Sequence, residues 1–197
     1  MVWSGLLIYW AYQPYRIGWG NTTILKFFPR SFHKALNTPY RLAEGMSIHF
    51  SFMWLFAASG IFYVLYLTFS GYWRSLLPDR RSFKEIGPVI LSDLRISKKP
   101  LNDSAKYNAA QRIIYSGVIV LGFFAILTGM AIYKPVQCSW LCATLGGYGA
   151  ARLEHFIITI LFVLFFLLHI IQVCRAGWNR FQSMVTGFET EQEKKDN

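Results

Sequence analysis

The sequence predicts an all-α integral membrane protein, on three observations. Apolar runs at 45–69, 113–133 and 152–175 each reach the roughly 20 residues that a helix needs to cross a bilayer. Lys and Arg gather in the segments between those runs. Three histidines, His49, His155 and His169, fall inside the runs, where an ionisable group is costly and marks a functional site. With 54% hydrophobic and 18% aromatic residues and a mean hydropathy of +0.32, the 197-residue chain has a membrane composition. A net charge of +10 in a soluble chain would suggest nucleic acid. Here the basic residues stand where the positive-inside bias puts them, so no nucleic-acid partner is expected.

Taken in order, residues 1–12 are apolar and stop at Gln13-Pro14. Twelve helical residues span only about 18 Å of a hydrocarbon core of about 30 Å. The expectation is a helix of which only half is present, its first half lying upstream of Met1. Residues 13–43 hold Arg16, Lys26, Arg30, Lys34 and Arg41 and the cluster Phe27-Phe28-Pro29, which reads as an ordered cap. His33 belongs to this cap and reads as a surface histidine. The first full span, 45–69, has His49 near its start as its only ionisable group.

In the polar segment 71–108, Phe83, Ile86, Ile90 and Leu94 recur at three- and four-residue steps. That spacing predicts a short amphipathic helix on the membrane surface, or a docking strip for a partner. The second span, 113–133, lacks histidine but carries Gly117, Gly122 and Gly129, which permit close approach of a neighbouring helix or equally admit a flat macrocycle. A loop ending in GGYGA leads to the third span, 152–175, and a charged tail follows. Cys138, Cys142 and Cys174 form neither a disulfide framework nor a zinc set.

The histidine spacing carries the chemistry. From His155 to His169 the helix turns within about 40° of four full turns and rises roughly 21 Å, which puts both on one face at opposite depths. Such a helix offers one axial imidazole to each of two stacked haems. If the chain crosses at each span, His49 and His155 share a depth, so an outer haem has ligands from two helices. His169 has no histidine at its own depth, and its partner is expected in the missing half-helix. Thirteen Lys and Arg residues fall on the side of 71–108 and the tail, against seven on the other. The richer side is cytoplasmic, so the His49 and His155 level faces outward and the C-terminus inward.

The segments WSGLLIYW, RLAEGMSIHF, SGYWR, KYNAAQRIIYSGV, LTGMAIYKPVQ, GGYGAARLEHF and HIIQVCRAGWNRF together resemble the di-haem cytochrome b subunits of formate dehydrogenase, nickel-iron hydrogenase and thiosulfate reductase. The branch paired with a molybdopterin oxidoreductase is the most similar. The resemblance covers nearly the whole chain and implies a four-helix transmembrane bundle over 1–180, here with its first helix half present, followed by a cytoplasmic tail at 181–197. It also implies haem b ligation by His49, His155 and His169, the last with its partner outside this chain. A quinone pocket is implied beside Lys106 to Arg112. There Asn108 and Gln111 are amide donors on one helical face, although Asn108 equally suits a helix N-cap. Arg41 and Arg152 outside, and Arg112 and Arg175 inside, are candidate partners for haem propionates or snorkelling anchors at helix ends.

The function expected is an electron-transfer subunit of the bacterial inner membrane, not a complete enzyme. It would link quinone to a soluble molybdopterin-type oxidoreductase through haem b. The competing readings are a haem-free membrane anchor for that partner and a transporter using intramembrane histidines.

Overall fold

The computed structural model describes residues 1–12, 16–19, 22–27, 30–36, 41–93, 109–176 and 182. Its elements run α1 (Val2–Tyr12), β1 (Arg16–Trp19), β2 (Thr22–Lys26), α2 (Arg30–Ala35), α3 (Leu42–Ser70), α4 (Trp73–Leu76), α5 (Arg80–Asp93), α6 (Ala109–Tyr133), α7 (Ser139–Thr144) and α8 (Tyr148–Ala176). The protein is an all-α membrane protein in its spanning part. α3, α6 and the stretch Tyr148–Ile171 of α8 are long and apolar enough to cross a bilayer. Each long helix starts three or four residues before the apolar run that predicted it. At 25 to 29 residues they measure about 37 to 43 Å, so their polar ends extend past the hydrocarbon into the headgroups.

Within lipid a helix satisfies its own backbone, and its large apolar side chains face outward. Phe62 and Phe69 on α3 and Leu168 on α8 are accordingly exposed. Packing divides the bundle into two pairs, α1 along α3 and α6 along α8, while α3 meets α6 at few points. Small residues close both seams. Ala131 of α6 and Ala151 of α8 are fully buried in a cluster with Leu141 and Cys142 of α7. In the other pair, a Cβ built on Gly45 would stand 2.8 Å from Leu7 Cβ and 3.2 Å from the Ser4 carbonyl oxygen, so only glycine admits α1 this closely. α1 and α3 run antiparallel there, since Leu7 meets Gly45 while Ser4 meets His49.

Turn chemistry sets the ends. α3 stops at Gly71, whose φ of 72° is the left-handed conformation common after a helix C-terminus. α7 stops at Gly146 and Gly147, both at positive φ, whose amides return to the carbonyls of Ala143 and Cys142. The cap expected at 13–43 contains an antiparallel two-stranded ribbon, β1 against β2, and the one-turn α2. The β-branched run Thr22-Thr23-Ile24 favours an extended strand. Tyr9 donates from its hydroxyl to the Phe27 carbonyl at 2.9 Å and stacks on Phe156 at 5.3 Å, which fastens the cap to α1 and α8.

The amphipathic helix expected in 71–108 is α5, with Phe83 exposed on it; Leu94 lies outside the described residues. α5 begins behind Asp79, whose carboxylate accepts from the Ser82 backbone N–H at 2.8 Å and from the Ser82 hydroxyl at 2.7 Å. Arg112 of α6 clasps the same turn. Its Nε donates to the Ser75 carbonyl at 2.9 Å and its Nη1 stands 3.5 Å from the Asp79 carboxylate. The Ser116 hydroxyl donates to the Leu76 carbonyl at 2.9 Å.

Gly45→Ala is expected to destabilise the protein by about 1–3 kcal/mol, the usual cost of overpacking, whereas Gly117→Ala, with nothing within 4 Å, gains helix propensity. Thermal unfolding in detergent measures both. The Ser82 hydroxyl, then its N–H, and then the Arg112 charge hold the Asp79 carboxyl below its ordinary value of 3.8. A depressed carboxyl stabilises fully above its unfolded pKa, so the anchoring of α5 holds above about pH 4 and is lost as pH falls through the lowered value. Amide exchange over 80–85 should show that acid dependence, and Asp79→Ala should abolish it.

Candidate functional site

His49 sits in the second turn of α3 and His155 in the second turn of α8, at the same end of the bundle. Their ring centroids are 6.3 Å apart with planes at 76°. Two imidazoles on opposite sides of one metal, each bonded at about 2 Å, place their ring centroids roughly 6 Å apart. The pair therefore has the separation of two axial ligands on a single iron, as their common depth predicts.

Each imidazole is held by the other helix of its own packing pair. Ser4 Oγ on α1 lies 3.1 Å from His49 Nδ1, and Thr128 Oγ1 on α6 lies 2.8 Å from His155 Nδ1. Both hydroxyl residues are 1% exposed, so water does not compete for these bonds. With Nδ1 engaged, Nε2 is the nitrogen left for a metal. The residue after each hydroxyl is glycine. A Cβ on Gly5 would lie 3.7 Å from His49 Cε1, and one on Gly129 would lie 3.4 Å from His155 Cε1. The donor set, its spacing and this cleared space fit a bis-histidine haem.

The family comparison agrees with that geometry. A family model described as prokaryotic cytochrome b561 matches residues 1–187. The chain belongs to that family. Membership in the b561 family makes it a membrane haem b electron-transfer subunit. A curated Azospira oryzae protein, provisionally named the YedZ1 subunit of a protein-methionine-sulfoxide reductase, is 35% identical over 141 residues. That stretch is 71% of this chain and 70% of the relative. No solved structure matches significantly.

The remaining predicted residues are placed as follows. His169 lies near the far end of α8, exposed, with its ring stacked on Phe165 at 5.9 Å. Arg41 and Arg152 are at the end that holds the histidine pair. Arg41 pairs with Glu44 at 3.4 Å, and the Arg152 guanidinium lies 5.8 Å from the Tyr148 ring centroid. Arg112 is at the opposite end, engaged in the clasp on α4 and α5. Gln111 is exposed on the first turn of α6. Asn108 and the side chain of Arg175 lie outside the described residues, as does the side chain of His33. Of the three glycines noted on α6, Gly129 faces a histidine, Gly122 approaches Phe56 and Gly117 faces open space.

Gly129 is already noted among the small residues of α6, whereas Ser4, Gly5 and Thr128 escape a reading that searches only for ligands. The signal available was a repeated hydroxyl-glycine pair, in WSGLL and in LTGMA, on two apolar helices that carry no histidine. Gly129→Leu should push the His155 ring aside and lower haem content per protein at least severalfold, while Gly117→Leu should leave it unchanged. The pyridine haemochrome assay on purified protein reads the difference.

Proposed function

We propose that this chain is the haem b subunit that connects the quinone pool to a molybdopterin-type oxidoreductase docked on the outer side of a bacterial inner membrane. The observation that carries the reading is the His49–His155 pair, 6.3 Å apart with both Nδ1 atoms engaged. In this reading both residues ligate an outer haem iron through Nε2, and His169 ligates an inner haem iron. Haem b, when bound, supplies the one-electron carrier. His49 and His155 would hold it between the two helix pairs, each ring directed by its hydroxyl partner.

Arg41 and Arg152, placed at the outer end, are the proposed contacts for its propionates, because guanidinium pairs bidentately with carboxylate. Arg112 and Arg175 have that role on the inner side, and there the clasp already fixes the Arg112 guanidinium in position. Asn108 and Gln111 present amide hydrogens to a quinone carbonyl at the inner end of α6. The excess of Lys and Arg at that end supports a cytoplasmic C-terminus. The name of the Azospira relative makes a reductase of methionine sulfoxide in proteins the first partner to test.

A reduced-minus-oxidised spectrum of the purified protein is expected to show b-type bands. His49→Ala and His155→Ala should each remove the same haem, and His169→Ala should spare it. Wild-type protein without b-type bands would be a haem-free anchor, and unchanged bands in His49→Ala would refute the ligand assignment.

A further inference from the structure

The hydroxyls beside the two histidines have their own hydrogens already committed. Ser4 Oγ donates to the Met1 carbonyl at 2.8 Å, and Thr128 Oγ1 donates to the Phe124 carbonyl at 2.7 Å. A hydroxyl has one hydrogen and two lone pairs. Toward the imidazoles, both oxygens can therefore only accept. With the hydroxyl hydrogen on the helix carbonyl, the hydrogen of each bond comes from the ring, which places it on Nδ1 and leaves the lone pair on Nε2. That is the tautomer a metal requires.

We propose that Ser4-Gly5 and Thr128-Gly129 are one positioning device used twice, which fixes the tautomer and direction of each haem ligand and lowers the reduction potential of the haem they share. The inference rests on the bis-histidine reading above. The hydroxyl fixes the ring nitrogen and the glycine removes the side chain that would stand over Cε1. Both pairs come from the helix packed against the ligand helix, so the seam that closes each helix pair also aims its imidazole. An accepted hydrogen bond at Nδ1 makes the ring a stronger donor to metal. A stronger donor favours the ferric over the ferrous state. A neutral hydroxyl accepts less strongly than a carboxylate, so the potential falls less than it would beside an ionised partner.

The test is redox titration of the purified protein together with its low-spin electron paramagnetic resonance spectrum, in Thr128→Val, Thr128→Ser and Ser4→Ala. Thr128→Val keeps the shape and removes the acceptor. It should retain b-type bands and raise the potential, with a shift in the reduction equilibrium of up to about tenfold, or about 59 mV for one electron. Ser4→Ala should shift it the same way, and Thr128→Ser should match wild type. If Thr128→Val loses haem, retention in Thr128→Ser still supports the device, whereas loss in both overturns it, because Thr128→Ser keeps the accepting hydroxyl. Bound haem with unmoved potential and resonance in Thr128→Val and Ser4→Ala also overturns it. Failure of the underlying reading looks different, because the wild type itself would then lack b-type bands.

Discussion

A polar group taken into lipid must bring its partner with it, and the arrangement of this protein follows from that constraint. No water reaches the hydrocarbon to repair an orphaned donor, and each unsatisfied group there costs several kcal/mol. Four hydroxyls of α3 meet the requirement within their own helix. Ser51, Ser59, Thr68 and Ser70 each donate to the carbonyl four residues back. Ser4 donates to the carbonyl three residues back and Thr128 to the one four back, and a lone pair of each lies against an imidazole from the next helix. A bond that α3 uses only for self-sufficiency is here joined to a histidine of the neighbouring helix.

Seen this way, the division into two helix pairs has a functional sense. α1 and α3 contribute one hydroxyl and one histidine, and α6 and α8 contribute the same set. Each half is internally packed and internally hydrogen-bonded, and among the described residues the halves meet through ring contacts that include His49 with His155, Phe50 with Tyr133 at 4.7 Å and Tyr9 with Phe156 at 5.3 Å. A flat macrocycle can occupy a seam of that kind without breaking a close-packed helix interface. Tight packing within the pairs and sparse packing between them serve one purpose.

Much of this was legible in the sequence, and the reasons are specific. Span length and charge distribution are one-dimensional properties, so the three long helices and the surface helix α5 were readable directly. The common depth of His49 and His155 followed from counting crossings. The hydroxyl-glycine pairs were not readable in the same way, because Ser4 lies 45 residues from His49 and Thr128 lies 27 from His155. Their contact is created by which helix packs on which, and no local pattern around the histidines records it. The β1–β2 ribbon was missed for a different reason. A strand of four or five residues gives too little alternation to stand out among turn-forming neighbours. Arg112 shows a third case, in which residue type and position suggested a ligand contact and the fold adds a clasp on the backbone of Ser75.

That clasp has a mechanical consequence. The turn at 75–79 is bonded to α6 by Arg112 and Ser116, so α5 is a lever with its fulcrum on the N-terminal end of that helix. α6 is a stiff rod, and Thr128 lies on it roughly 24 Å from Arg112. A load at the Arg112 end of α6 is thus borne by the same rod whose Thr128 bonds His155 toward the other end. The two faces of the bilayer share a structural member.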